Sequence, residues 1–168
     1  PAARQRGRFR FRKGPDMAET KTMMSPGVLP AQTLRQMIAS GVLSGQPAIL
    51  PDQIQPASLD LRLGTVAYRV RASFLAGNGA RVADRLAEFE MHRVDLTHGA
   101  VLEKGCVYVV PLMESLALPP GITAVANAKS STGRLDLLTR TITDGGTEFD
   151  RIPEGYTGPL YAEVCPRS

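Results

Sequence analysis

Tryptophan is absent, and cysteine and histidine occur twice each, as Cys106, Cys165, His92 and His98. Two thiols are too few for a disulfide scaffold, and these four residues leave little material for a metal site. No window approaches twenty consecutive apolar residues, which excludes a membrane-spanning helix. No apolar run follows the basic start, so a secretory signal is not supported. The expectation is a cytoplasmic protein with no membrane partner. What is present is 168 residues, 43% hydrophobic and 21% charged, which suits one domain with a packed core.

The net charge of +4 is unevenly placed. Arg4, Arg6, Arg8, Arg10, Arg12 and Lys13 crowd the first fourteen residues, without an acid among them. Setting those six aside leaves 14 basic against 16 acidic side chains, a body of net charge −2. An alternating arginine run suits nucleic acid or anionic lipid. The commoner origin is a disordered or non-native leader, with Met17 as a plausible native start. Residues 1–27 are therefore expected to be a disordered basic leader, with no specific nucleic acid as partner.

Beyond the leader, Leu34, Met37 and Ile38 mark one face of a short helix over residues 31–41, stopped at Gly41. The segment 45–56 carries three prolines and is expected to be extended and turning. Ser58 to Gly64 alternates, with Leu59, Leu61 and Leu63 on one side. Val66, Tyr68 and Val70 continue the alternation. Residues 80–92 suit one or two helical turns facing inward through Val82, Leu86 and Phe89. Cys106 to Leu112 reads as a strand ended by Pro111, followed by strands at Ile122 to Ala126 and Gly158 to Val164. Short strands separated by frequent turns predict a mainly β sandwich or barrel.

Several chemistries are excluded by missing motifs. There is no P-loop, no dinucleotide glycine fingerprint, no GxSxG, and no zinc-ligand spacing of the nucleobase deaminases that use that metal. What remains is a polar island, Lys129-Ser130-Ser131-Thr132-Gly133-Arg134. Its hydroxyls and backbone N–H groups suit an oxyanion, and its two cations neutralise one. A hydroxyl-rich turn with solvated charges explains it equally well. Glu163 shares a strand face with Tyr161 and would serve as a general base if that face lines a pocket. Alone, a solvent-facing glutamate is the commoner case. Asp60 either contacts a ligand or bonds a neighbouring backbone N–H. Asp150 and Arg151 read as an exposed charged pair, Cys106 as a core residue, and both histidines as surface groups.

These islands, in this order, resemble the deoxycytidine triphosphate (dCTP) deaminases, relatives of the trimeric dUTPases. Gln55-Pro56-Ala57-Ser58-Leu59-Asp60-Leu61-Arg62-Leu63-Gly64 is similar to the family's first motif. Lys129 to Leu135 resembles its nucleotide loop, which usually begins with Arg. Gly155-Tyr156-Thr157-Gly158 followed by Glu163 resembles its Gly-aromatic-Ser/Thr-Gly…Glu segment. The early helix fits as well, and the nearest resemblance is to the N-terminal half of a double-length bacterial form. The resemblance implies a dUTPase-like (β-clip) distorted barrel or jelly roll over residues 28–168, with one short N-terminal helix and an incomplete C-terminus.

The resemblance also implies hydrolytic deamination of dCTP to dUTP and ammonia. Glu163 would activate water without zinc. Ser130 would position the water or the amine. Arg134 would hold the triphosphate beside Glu163. Lys129, Ser131, Thr132 and Gly133 would cradle phosphate, and the backbone of Tyr161 and Ala162 would read the base edge. Asp60 and Arg151 are possible supporting residues. Mg²⁺ would ride on the substrate triphosphate. A homotrimer or fused pseudo-oligomer is implied, because family sites lie between subunits. Two departures stand out: Pro153 replaces the Asp that contacts the sugar, and the stretch 141–149 is longer. The alternatives are a dUTPase-type nucleotide pyrophosphatase and a catalytically silent half that binds nucleotide or completes an oligomer.

Overall fold

The computed structural model describes residues 8–13 and 27–168. The chain runs β1 (Arg8–Lys13), β2 (Gly27–Val28), α1 (Ala31–Ala39), β3 (Leu43–Gly45) and a single 3-10 turn (Pro51–Gln53). There follow β4 (Ile54–Gln55), β5 (Ser58–Asp60), β6 (Val66–Val70), α2 (Val82–Phe89) and β7 (Glu90–Asp95). The remainder is β8 (Val107–Ala117), β9 (Ile122–Asn127), α3 (Ser130–Arg134), β10 (Leu137–Thr143), β11 (Arg151–Ile152) and β12 (Thr157–Pro166). Among the described residues there are two six-stranded antiparallel sheets. The first runs β11-β9-β1-β5-β4 with β2 on β1, and the second β10-β12-β8-β6-β7 with β3 on β8. The mainly β class is as expected and is consistent with the dUTPase-like fold. No helix of the described residues is long and apolar enough to cross a membrane.

Local sequence accounts for most elements. α1 buries Leu34 and Met37, α2 buries Val82 and Leu86, and Gly41 leaves α1 with a φ of 78°. Strand alternation sorts β12 between two cores. Tyr161 joins Val70, Phe74, Val82, Leu86, Val109 and Ile142 beneath α2. Ala162 and Val164 pack on the other face with Ala67, Tyr108 and Val110. A third core, holding Phe9, Phe11, Leu34, Leu59, Leu116 and Leu160, joins the first sheet to α1 and to the end of β8.

Three expectations need correction. Arg8–Lys13 is not disordered. It is a strand paired along its whole length with β9, with Phe9 0% and Phe11 1% exposed. The alternation Arg-Phe-Arg-Phe-Arg is a strand pattern. Burying two phenylalanines is worth about 1.5–3 kcal/mol each, more than enough to dock a short charged segment. The rest of the expected leader, 1–7 and 14–26, lies outside the described residues. Pro111 does not end β8, which continues to Ala117. A proline has no N–H to donate, and Pro111 lies opposite the register shift between Pro159 and Tyr161 on β12. On the other side its carbonyl accepts the N–H of Gly64 at 2.7 Å. A Cβ on Gly64 would lie 2.7 Å from that oxygen, which explains the glycine closing the first motif. Finally, β5 stops at Asp60, leaving Leu63 as an isolated bridge to Leu112.

Both faces around β5 are buried. Asp60 is 0% and Arg62 7% exposed, where alternation alone would put them in solvent. Arg62 donates from Nε to Glu114 Oε1 (2.7 Å) and from its backbone N–H to Glu114 Oε2 (2.8 Å). Gln53 Nε2 donates to Glu114 Oε1 and to the Asp60 carbonyl, both at 2.8 Å. The Arg62 Nη2 group donates to the Pro47 carbonyl at 2.6 Å. This network ties the 3-10 turn, β5 and β8 together.

Candidate active site

The polar island folds as a short helix rather than an open turn. α3 follows β9, and Lys129 precedes it in extended conformation. Ser130, Ser131, Gly133 and Arg134 are exposed, whereas Thr132 is buried. Lys129 Nζ lies 2.9 Å from Asp60 Oδ2, a fully buried carboxylate oxygen. Asp60 thus anchors the loop through Lys129, and the charge left for an anion is that of Arg134. Gly133 has no positive φ, and a Cβ there would meet nothing within 4 Å. Neither a turn nor a close contact within the chain requires that glycine. Beside the loop, Arg10, Asn127, Ala128 and Ser130 line an open cleft of about 330 Å³.

Glu163 sits on β12, between Arg140 of β10 and Val109 of β8 in the strand register. It is 2% exposed, so the expectation of a solvent-facing glutamate fails. Arg140 donates to Glu163 Oε1 from Nη2 and, at 3.1 Å, from Nε. Glu163 Oε2 is buried and has no hydrogen-bond partner among the described residues. The Arg140 guanidinium lies 3.8 Å over the ring of Phe149 and donates to Ser73 Oγ at 3.2 Å. Asp150, at φ 63°, accepts the Thr141 N–H at 2.7 Å. Burial pushes the Asp150 carboxyl above its ordinary value, opposed by that hydrogen bond and by the nearby Arg140 charge, while the Glu163 charge adds to the rise. Burial likewise raises the Tyr161 phenol, which stays neutral.

Glu163 and the Lys129–Arg134 segment do not meet within the chain. No hydrogen bond or ion pair joins them among the described residues. Leu137, just past α3, pairs with Pro166, three residues beyond Glu163. That offset is about 10 Å along the sheet at a strand's rise per residue. Tyr161 and Ala162 have strand partners on both sides, Ile142 and Pro111 for Tyr161 and Thr141 and Val110 for Ala162. Arg151 pairs with Glu148 at 2.9 Å in the open, not with Asp150, whose carboxylate turns inward to Thr141. Arg151 and Pro153 line a cleft of about 420 Å³ with Thr123, Gly145 and Gly146. Neither cleft is lined by Glu163.

Sequence reasoning passed over Arg140, Ser73, Phe149 and the inward role of Asp150. Only Arg140 had a readable signal: a lone cation in the alternating run Leu137–Thr143. Cys106 is half-buried just ahead of β8, packed against the core of Ala67, Tyr108 and Val110, with Sγ 2.9 Å from Arg69 Nη2. Tyr156 of the third island is structural, donating to the Pro159 carbonyl at 2.6 Å. A Cβ on Gly158 would come within 2.8 Å of its hydroxyl.

The family model for the 2'-deoxycytidine 5'-triphosphate deaminase (DCD) N-terminal domain matches residues 25–168. Among solved structures, the chain is similar to 2'-deoxycytidine 5'-triphosphate deaminase from Agrobacterium tumefaciens. The two share 59% identity and a TM-score of 0.82, over 84% of this chain and 42% of that one. The chain spans less than half the length of that relative.

Proposed function

The chain belongs to the 2'-deoxycytidine 5'-triphosphate deaminase N-terminal-domain family, and from that premise we propose that it takes part in hydrolytic deamination of dCTP to dUTP and ammonia. The observation that carries the reading is Glu163. Its carboxylate is shielded from solvent, with one oxygen held by Arg140 and the other without a partner among the described residues. In this reading Oε2 takes a proton from water while the hydroxide adds to C4 of cytosine. Glu163 passes that proton to N3. It then moves the proton of the new C4 hydroxyl to the amine, the C4–N bond breaks, and ammonia leaves as the C4 carbonyl forms.

Ser130 and Arg134 would complete the site. They lie away from Glu163 in one chain, so a second copy or a second half of similar fold would present them, as expected for a trimer or a fused pseudo-oligomer. Ser130 would orient the water or the amine, and Arg134 the triphosphate. Ser131 and the backbone at Gly133 would take phosphate oxygens, and Lys129 would act through its hold on Asp60. The deoxyribose would meet Pro153 in place of a carboxylate. Among the described residues no three His, Cys, Asp or Glu side chains converge as metal ligands. Mg²⁺ would enter on the triphosphate, as the family resemblance implies. Two free thiols and a nucleotide substrate suit the cytoplasm.

The test follows ammonia and pyrophosphate together when the intact protein meets dCTP. Ammonia alone supports deamination, pyrophosphate alone a dUTPase-type reaction, and neither product a silent half. Glu163→Gln is expected to lower ammonia release by at least about 100-fold while dCTP binding stays within about threefold. Unchanged turnover in that variant would refute the assigned base.

A further inference from the structure

The Glu163 carboxylate is 2% exposed, and burying a charge is costly unless a partner stands close. The groups facing Glu163 are few. Arg140 comes from β10 and Asp150 from the loop before β11. Tyr161 and Cys165 lie two residues to either side on β12, and the uncharged Val109 comes from β8. Asp150 brings a carboxyl near Glu163, and Arg140 brings a positive charge against it. Arg140 is itself fixed, with its plane against Phe149 and Nη2 on Ser73. Both of its donations to Glu163 go to the same oxygen, Oε1. A stability-driven pair would usually engage both carboxylate oxygens with the fork.

We propose that Arg140 is a positioning residue for the deamination, acting through Glu163. It sets a positive charge beside the buried carboxylate and clamps Oε1, so that Oε2 alone is presented to the reacting water. This rests on the function proposed above. Arginine is needed for the clamp because a lysine ammonium offers neither the two-point hold nor a plane to lie on Phe149.

The test is the pH profile of kcat for ammonia release by the intact protein, with thermal unfolding recorded for each variant. Arg140→Gln is expected to lower kcat at neutral pH about 100-fold and to move the acidic limb toward alkaline pH, because the positive charge beside the carboxylate is gone. Binding of dUTP should stay within about threefold. Arg140→Lys is expected to return the limb to its wild-type position yet leave kcat about tenfold low, because the charge is restored and the fork is not. A lower kcat with an unmoved limb in Arg140→Gln would make Arg140 merely structural and overturn the inference. Should Arg140→Gln fail to fold, Arg140→Lys decides: wild-type kcat overturns the inference, as does a loss of kcat matched by weaker dUTP binding or earlier unfolding, and a tenfold loss of kcat with both unchanged supports it. Absence of ammonia release by the wild-type protein overturns the deaminase reading and this inference together. Wild-type release with an unmoved limb in Arg140→Gln overturns this inference alone.

Discussion

The Arg62–Glu114 and Arg140–Glu163 pairs both bury a carboxylate, at 1% and 2% exposure, and they differ in how the oxygens are used. Glu114 has both oxygens engaged, by two nitrogens of Arg62 and by Gln53. Its arginine side chain is 9% exposed and joins three segments of backbone. Among the described residues Glu163 has one oxygen engaged and one without a partner, and its arginine is 32% exposed. A filled network specifies a fold, because any missing member leaves a buried polar group unpaired. A half-filled one at the end of a fixed guanidinium keeps a lone pair for something else. Chemistry is expected at the second pair and architecture at the first.

The strongest way to break that contrast is Glu114→Ala. The change strands the Arg62 guanidinium and the Gln53 amide in the interior, at a cost of about 3–5 kcal/mol. Denaturant unfolding of the chain measures it, and a loss under about 1 kcal/mol would remove the structural role given to this network. Glu163→Gln sharpens the contrast from the other side. The amide oxygen still accepts from Arg140, which water also reaches, so the loss of stability should be about 1 kcal/mol or less while turnover collapses. Comparable destabilisation by the two changes would erase the distinction between the pairs.

The sequence makes one of these pairs easier to overlook than the other. Arg62 and Asp60 alternate with leucines, and alternation places them in solvent. A second layer, formed by the 3-10 turn and β8, covers them instead. Pairing of Arg140 with Glu163 depends on the register of β10 against β12, which no local pattern in Leu137–Thr143 specifies. α1 and α2 were legible because Leu34, Met37, Val82 and Leu86 recur at helical spacing, and β6, β9 and β12 because their apolar residues alternate. β1 was misread because six basic residues drew attention from Phe9 and Phe11 between them. The motif residues were legible as types and not as contacts: Lys129 was expected on phosphate and rests on Asp60.

Gly133 offers a smaller effect with a sharper reading. A helical glycine without a positive φ or a close neighbour is a liability to stability. Gly133→Ala should therefore leave the fold unharmed or stabilise it by about 0.5 kcal/mol. If the segment takes phosphate through its backbone, the same change should weaken dCTP binding several-fold. Unaltered binding, measured by titration calorimetry, would detach the glycine from the nucleotide.

Smallest of all is the pH signature of Asp150, beside the half-filled pair. Its carboxyl is raised in the fold, chiefly by burial, so folding keeps a proton that the unfolded chain releases. Below the ordinary carboxylate value both states are protonated and the group has no effect. As pH climbs from that value through the raised one, the unfolded state loses its proton first and stability declines, reaching a constant deficit at neutral pH. Asp150→Asn abolishes the titration. Its side-chain oxygen still accepts the Thr141 N–H, and asparagine tolerates φ near 63°. The melting temperature of Asp150→Asn relative to wild type should thus rise across the acid range and level off toward neutrality. A difference that stays constant from acid to neutral pH would mean that folding does not raise the Asp150 carboxyl, and would remove burial as a force on it.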